Sequence, residues 1–323
     1  SSLVIQNYSL LVLNLFINLT TYKCYSMTTH FLNRDTSTIL DVVNKMFDFS
    51  LTPGGNNILG VSRNEDLNEA FNRFKDNIVV LYIKILKYIV SGNTRGRDEG
   101  SKSDAPLNTK HLCTLLSKKS AILIESIYEV YKNPNVNLET IEEIDSLNEV
   151  LISSMKLLSK LANETEFYSI FDKVGKQLFI DIILVNLILL PREMDNFTQN
   201  EKEFCESFHD LCFEQKSHTL KSYSMRLLET MVEKIDWYFA YVSGIIIGLL
   251  DCTAAKTGFQ EAEALYPNLT DLRESKFLKN TDEEKRLDVC LLVICSTSFY
   301  IILRPERFLE LRACLARHIS TLM

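Results

Sequence analysis

Apolar residues at helical spacing, interrupted only by short polar links, constrain this chain more than any other feature of its sequence. The apolar run from Leu178 to Leu190 is followed by a proline-led acidic connection over 191–203, and then by two further helical patterns up to Asp236. Intervals of three and four between apolar residues recur along the chain, and no segment alternates as a strand would. The sequence therefore predicts an all-α protein.

Turn-forming residues are too scarce for an all-β fold. The 323 residues include 10 Gly and 6 Pro, whereas an all-β chain needs a turn signal about every ten residues. The Pro53–Asn57 cluster, Pro134 and Pro191 mark breaks, and we expect residues 92–106 to form a flexible exposed loop. Helices are predicted over 2–19, 36–49, 64–91, 108–132, 138–163, 166–190, 199–213, 217–235, 237–252, 259–265, 282–303 and 306–321, with a Pro267-centred loop before the last two.

The spacing of the predicted helices indicates a repeat architecture. Helix pairs recur about every 40–50 residues, which is the period of HEAT and armadillo units. Each pair has an apolar face wider than its own partner can cover, and stacking of neighbouring pairs would bury that face. We therefore predict an α-α superhelix, a HEAT- or armadillo-like solenoid of antiparallel helix hairpins, in which the whole chain forms a single array of about 5–6 helix pairs. A compact α-helical bundle is the competing architecture.

The charge and hydropathy of the chain restrict its partners. A net charge of −7 and a pI near 5.4 argue against direct nucleic acid binding, because phosphate binding needs a basic face. An acidic surface suits a basic protein partner. The two most apolar runs, 178–190 and 237–250, are shorter than the roughly 20 residues that span a bilayer, so we expect no membrane partner.

The cysteines indicate the compartment. Most of them lie within apolar helical patterns, and none forms a CxxC motif, as is typical of reduced, buried cysteines. We therefore expect a cytosolic or nuclear protein. The eight residues are Cys24, Cys113, Cys205, Cys212, Cys252, Cys290, Cys295 and Cys314.

One cluster has the composition of a metal site. Cys205, His209 and Cys212 lie at i, i+4 and i+7 of one predicted helix and so share a face. His218 follows closely and would complete a set of four zinc ligands. The alternative is that Cys212 and its apolar neighbours are ordinary core positions. We favour the core interpretation and expect no metal.

A pair of glycines lies in the apolar helix from Trp237 to Leu250. Gly244 and Gly248 form a GxxxG pattern, which in a membrane is typical of helix dimerisation. Because the run is too short to span a bilayer, we interpret the glycines as positions where a neighbouring helix approaches closely.

Acidic clusters occur in two helical regions. They are Glu142-Glu143 with Asp145, and Asp282-Glu283-Glu284. Carboxylates are favoured at helix starts because the N-terminus carries partial positive charge and free N–H groups. We interpret both clusters in this way, and binding of a basic cargo is the alternative.

Catalytic motifs are absent from the sequence. It contains no phosphate-binding glycine loop, HExxH, GxSxG or kinase signature, and no Ser or Cys has a His partner at a patterned spacing. We therefore predict a non-enzymatic protein with no catalytic residues and no cofactor. A helical enzyme with an internal pocket is the alternative of another class.

Four motifs follow one another between residues 174 and 235. They are an apolar helix end at Ile182–Leu187, an acidic connection with an aromatic at Glu193–Phe197, a short helix entered at Asn200–Phe204, and a helix led by Thr219–Ser224. In this order and spacing they resemble the importin-β superfamily of nuclear transport receptors, the HEAT-repeat karyopherins, and chiefly the exportin-2 and importin-7 type. The chain departs from that pattern at Val185, where Pro is common, at 200–202, which replaces an Asp-Pro step, and in lacking paired arginines near 219–224.

The resemblance implies a superhelical receptor of the cytoplasm and nucleus that binds protein cargo, here a basic one, on its concave face. It also implies binding of the small GTPase Ran through N-terminal repeats, which would lie outside this chain. The chain starts Ser1-Ser2 and is far shorter than such receptors, so we interpret it as an interior segment. The alternative is another HEAT scaffold with a fixed protein partner, of the cohesin-associated, phosphatase-subunit or vesicle-coat type.

Overall fold

A computed structural model of the chain describes residues 109–132, 141, 145–209, 218–254, 259–303, 309, 311–313 and 316. This part is 89% helical and contains no strand, which confirms the all-α prediction. Its residues in 109–126 and 145–160 belong to one compact unit, and those in 127–142 and from 161 onward belong to a second. The predicted helices over 2–19, 36–49 and 64–91, the loop over 92–106 and most of the helix over 306–321 lie outside the described residues.

The helices of the described residues are numbered here in chain order. They are α1 (Thr109–Lys132), α2 (Asp145–Ala162), α3 (Tyr168–Leu178), α4 (Leu184–Asn186), α5 (Pro191–Gln199), α6 (Glu201–His209), α7 (Leu220–Lys234), α8 (Asp236–Ala254), α9 (Phe259–Leu265), α10 (Lys276–Asn280) and α11 (Glu283–Leu303). Short 3₁₀ turns cover Thr165–Phe167 and Pro267–Leu272, and a π-helical turn, Phe179–Ile183, joins α3 to α4. The helices predicted over 108–132, 217–235, 237–252, 259–265 and 282–303 are confirmed to within a few residues.

In the first unit, α1 and α2 each bury a stripe of side chains. Leu123 and Ile124 are buried on α1, and Leu151, Met155 and Leu158 are buried on α2. The α2 positions are four and three residues apart, the spacing that places side chains on one face of a helix. Burial of such a face, more than helix propensity, stabilises helices in a folded protein.

The core of the second unit is centred on the segment formed by α3, the π-helical turn and α4. Every residue from Leu178 to Leu187 is buried except Asp181, which is half-buried. This segment contacts α7, α8 and α10, and both α7 and α8 contact α11. A helix that is covered on all sides needs apolar residues all round, which explains the uninterrupted apolar run.

In the π-helical turn the backbone hydrogen bond spans one residue more than in an α-helix. The backbone N–H of Leu184 donates to the carbonyl oxygen of Phe179, five residues earlier. An α-helix closes the same bond over four residues. Beyond α4 the backbone tightens, and the Leu187 N–H bonds the carbonyl oxygens of Ile183 and Leu184 at 3.1 and 3.3 Å.

A chain of hydrogen bonds crosses this apolar core. Tyr131 Oη donates to Asn186 Oδ1 at 2.5 Å, and Asn186 Nδ2 donates to Ser224 Oγ at 2.9 Å. Ser224 Oγ in turn donates to the carbonyl oxygen of Leu220 at 2.9 Å. All three polar side chains are buried. The chain joins the end of α1 to α4 and α7, and it satisfies polar groups whose burial without partners would be costly.

The close-approach interpretation of the two glycines in α8 is confirmed, with a different neighbour. A Cβ at Gly248 would lie 2.8 Å from Leu269 Cδ1, and a Cβ at Gly244 would lie 2.9 Å from Asn268 Nδ2. The neighbour is the 3₁₀ turn Pro267–Leu272, where we had expected a helix. Leu269 is fully buried, so its side chain has little room to move away.

Two links that we predicted to be irregular are helical. The acidic connection contains α5 ahead of the helix that we predicted from residue 199, and the loop predicted around Pro267 contains a 3₁₀ turn and α10. In both places a proline opens the element, where its missing N–H costs no hydrogen bond. Ser275 then caps α10, because its Oγ accepts from the Leu278 N–H at 3.1 Å.

Among the described residues, no single helix is long and apolar enough to cross a membrane. The segment Tyr168–Asn186 and α5, which are bent by 41° with respect to each other, pass the test of length and composition only as a pair.

Candidate functional site

Helices α5 and α6, called the acidic helix pair below, contact each other and lie largely in solvent. No residue of α5 is buried, and every described side chain of α6 is exposed. A helix pair with so little buried surface cannot be held by packing alone. Specific polar contacts fix its two helix starts and its attachment to the core.

Glu193 fixes the start of α5 and ties it to α7. Its Oε2 accepts from the backbone N–H of Leu190 at 2.7 Å and from Lys221 Nζ at 2.5 Å. The lysine side chain is 6% exposed, and the glutamate side chain is 30% exposed. Such a pair sits where α7 meets solvent, and removing the carboxylate would leave a buried ammonium without this counter-charge.

The turn between α5 and α6 closes through reciprocal side-chain bonds. The Glu203 N–H donates to Asn200 Oδ1 at 3.3 Å, and Asn200 Nδ2 donates to Glu203 Oε2 at 2.9 Å. This arrangement satisfies an N–H group at the start of α6 and fixes the direction in which the helix leaves the turn. Residues within the acidic helix pair therefore fix the direction of α6 with respect to α5.

The acidic helix pair carries a net negative charge. It includes five carboxylates and two basic side chains, an excess of three negative charges. Asp195, Glu201, Glu203 and Glu206 are all exposed. The Lys202 ammonium lies 3.8 Å from a Glu206 carboxylate oxygen, with both side chains at least 70% exposed. An ion pair this exposed contributes little, so it leaves most of the negative potential available to a partner.

Two large apolar side chains accompany these carboxylates on α5. Met194 is 43% exposed and Phe197 is 40% exposed. They lie three residues apart and so share a face of the helix. An exposed ring next to carboxylates can receive both the aliphatic stems and the charges of lysine and arginine side chains.

The residues considered for zinc are only partly described. Cys205 is exposed and forms no disulfide, while the side chain of His209 and all of Cys212 lie outside the described residues. His218 Nδ1 lies 2.9 Å from Tyr223 Oη, and the two rings are stacked. Within the part of the chain that the structure describes, no group of three His, Cys, Asp or Glu side chains could hold a metal ion.

Of the two acidic clusters, the one at Asp282 is described. Asp282 Oδ1 accepts from the Lys285 N–H at 2.9 Å at the start of α11, and this bond holds the pKa of the carboxyl below its usual value. The interpretation as a helix start is therefore confirmed there. Residues Glu142 and Glu143 and the side chain of Asp145 lie outside the described residues.

Sequence reasoning placed Glu193, Asn200 and Lys221 within motifs but did not predict the contacts that these residues make. The role of Glu193 could have been predicted, because a proline followed two residues later by a glutamate, as at Pro191, is typical of a helix start. Its partner Lys221 lies 28 residues away, and no local pattern connects the two.

No protein-family model, no curated protein and no solved structure matches this chain.

Proposed function

We propose that this chain is part of a non-enzymatic helical scaffold that binds proteins, of the nuclear transport receptor kind, and that the acidic helix pair receives a basic segment of the cargo. The observation that carries the proposal is the exposure of α5, which presents Met194 and Phe197 beside Asp195. Glu193 and Lys221 meanwhile hold this helix on α7.

Charge and apolar contact would affect different steps of binding. The excess of negative charge steers a basic segment towards the helix pair and raises its association rate. Apolar contact with the exposed ring then slows dissociation, because aromatic side chains at the centre of an interface carry much of the binding energy. Since both helices start at fixed caps, little ordering is needed on this side of the interface.

We propose further that the helices continue as an α-α superhelix, a HEAT- or armadillo-like array that works in the cytoplasm and nucleus. Support comes from α7 and α8, which contact α3 and α4 before them and α11 after them in the chain, as a pair does in a stacked array. Small-angle scattering tests this, because a compact chain of this length has a radius of gyration of about 20 Å. We expect a clearly larger value, and a value near 20 Å would contradict the superhelix.

Fluorescence anisotropy with a labelled synthetic peptide of alternating Lys, Leu and Arg tests the docking surface. We expect Phe197→Ala to weaken binding about tenfold, the effect of losing a moderate hot-spot contact. Asp195→Asn is expected to lower the association rate and the salt dependence of binding. Leu265→Ala and Glu261→Gln are matched controls, because they make comparable changes at exposed positions of α9.

Equal losses in the α9 controls, or equal binding of a peptide with Glu in place of every Lys and Arg, would contradict the docking surface. A second experiment tests the receptor itself, using the intact protein, a bound basic cargo and Ran loaded with GTP or GDP. Nucleotide-dependent binding or release supports a transport receptor. One stoichiometric partner that is insensitive to nucleotide would instead support the cohesin-associated, phosphatase-subunit or vesicle-coat type of scaffold.

A further inference from the structure

A cleft of about 870 Å³ in the second unit is lined by lysines from three separate segments. They are Lys132 at the end of α1, Lys173 and Lys176 on α3, and Lys276 and Lys279 on α10. The volume falls within the range of about 300–1,000 Å³ that is typical of small-molecule sites. The lysines lie 41 to 106 residues apart from one segment to the next, so only the fold brings them to one cleft.

The cleft carries positive charge although the chain as a whole is acidic. Three carboxylates, on Asp181, Asp271 and Glu274, line it together with the five lysines, an excess of two positive charges among the lining residues. Lys132 also pairs with Glu129, which lies outside the lining, at 2.9 Å, and both of these side chains are more than 60% exposed. The full chain has a net charge of −7. A concave surface focuses the field of its lining charges, so the cleft attracts anions more strongly than an equal number of scattered lysines would.

The carboxylates of the cleft compensate its lysines only weakly. The Lys176 ammonium lies 3.8 Å from Asp271 Oδ2, and Lys279 Nζ lies 2.9 Å from Glu274 Oε2. The lysine of each pair is 58% exposed. Ion pairs at this exposure are weak and are readily exchanged for a ligand of higher charge.

Burial disfavours the charged forms of two groups that line the cleft, Lys276 and Asp181. Lys276 Nζ donates one hydrogen bond to the carbonyl oxygen of Tyr131 at 3.0 Å, which orients the ammonium on the cleft wall. Burial lowers the pKa of this ammonium, because it loses water that a neighbouring anion would replace. Burial also raises the pKa of Asp181, which disfavours negative charge at that position.

We propose that this cleft binds a small anion that carries several phosphate groups. The five lysines of the cleft come from α1, α3 and α10, and an anion with charge on several groups can pair with more of them at once than a single phosphate can. A soluble polyphosphorylated metabolite and a phosphorylated lipid headgroup share this chemistry. The site is independent of the acidic helix pair, since the two have no residue in common.

Isothermal titration of the 323-residue chain with inorganic tripolyphosphate tests the proposal. We expect saturable binding that weakens as salt is added, because exposed charges are screened. The double variant Lys173→Gln/Lys176→Gln should bind about tenfold more weakly, the combined effect of two partly exposed charge contacts. The double variant Lys160→Gln/Arg312→Gln is the matched control, because it removes the same charge from exposed positions outside both the cleft and the acidic helix pair.

Absence of binding, equal weakening in the control, or equal competition by sulfate at the same ionic strength would overturn the proposal. Co-sedimentation with phosphatidylcholine vesicles that contain a phosphoinositide distinguishes the two sources of phosphate. Sedimentation that the cleft variant abolishes and the control retains supports the site with a lipid headgroup as its ligand. Tripolyphosphate binding without sedimentation supports it with a soluble ligand.

Discussion

Replacing Asn186 with leucine is expected to destabilise the protein, because the change removes a hydrogen-bond acceptor from the core and leaves its donor behind. Leucine has a similar shape but forms no hydrogen bond, so the hydroxyl of Tyr131 is stranded. Ser224 loses one partner and keeps the carbonyl oxygen of Leu220. An unpaired buried donor costs about 1–3 kcal/mol and each lost bond about 0.5–1.5 kcal/mol. We therefore expect the free energy of unfolding to fall by about 2–4 kcal/mol.

A double-mutant cycle separates this hydrogen bond from general effects of substitution. Tyr131→Phe should cost about 1–2 kcal/mol, because Asn186 Oδ1 then lies buried without its donor. The double variant Tyr131→Phe/Asn186→Leu removes both the hydroxyl and the amide oxygen, so neither is left buried without its partner. Its loss should be smaller than the sum of the single losses by about 1–2 kcal/mol.

Urea unfolding followed by tryptophan fluorescence measures these differences. Trp237 is the single tryptophan of the chain, and its ring contacts Tyr238 and Tyr241 in the second unit. Tyr238→Phe is the matched control, since Tyr238 is fully buried and its hydroxyl has no hydrogen-bond partner among the described residues. That change should raise stability by about 1 kcal/mol. Single losses that add to within about 0.5 kcal/mol would refute the coupling.

Four further substitutions test packing, attachment and charge. Gly248→Ala should destabilise the protein by about 1–3 kcal/mol, because its Cβ would overlap buried Leu269. Gly244→Ala meets only a movable amide end and should cost less, and equal melting temperatures for the two variants would contradict this difference. Glu193→Gln should lower the free energy of unfolding by about 1–3 kcal/mol and speed amide hydrogen exchange in α5. An unchanged exchange rate in α5 would contradict the role of Glu193 in holding that helix on α7. Burial raises the pKa of Asp181 above its usual 3.8, so the folded state binds more protons than the unfolded state between pH 3.8 and the raised pKa. The contribution of this group to stability falls as pH rises through that window. Asp181→Asn should remove the fall and raise stability at neutral pH, and a pH profile identical to that of the parent chain would contradict the assignment.

Local patterns were sufficient for most helices of the described residues, because their apolar residues repeat at helical spacing. The helix predicted over 166–190 illustrates both the strength and the limit of this approach. Its position was correct, yet nothing in the sequence indicated the π-helical turn Phe179–Ile183 within it. Asn186 is a polar residue within the apolar run, and the sequence does not show what it contacts. Its role depends on Tyr131 and Ser224, which lie 55 and 38 residues away.

The two candidate sites differ in how much of them a sequence can reveal. The charge and exposed ring of α5 are contiguous, and the composition of 191–203 was correctly judged acidic although its helical structure was missed. The lysine-lined cleft could not have been predicted, because its walls come from segments that are remote in sequence. A net charge of −7 also pointed away from any anion site, since a total charge carries no information about where opposite charges gather.

The π-helical turn makes the direction of the helices that follow it sensitive to the deletion of a single residue. Each residue of an α-helix corresponds to about 100° of rotation about the helix axis. Deleting one residue from Phe179–Ile183 would therefore restore a regular helix and swing everything beyond it by about that angle. Asn186 would lose its hydrogen bonds to Tyr131 and Ser224, and α5 would leave Pro191 in another direction. A change in length at one internal turn would thus redirect the proposed docking surface on α5 without altering any residue on it.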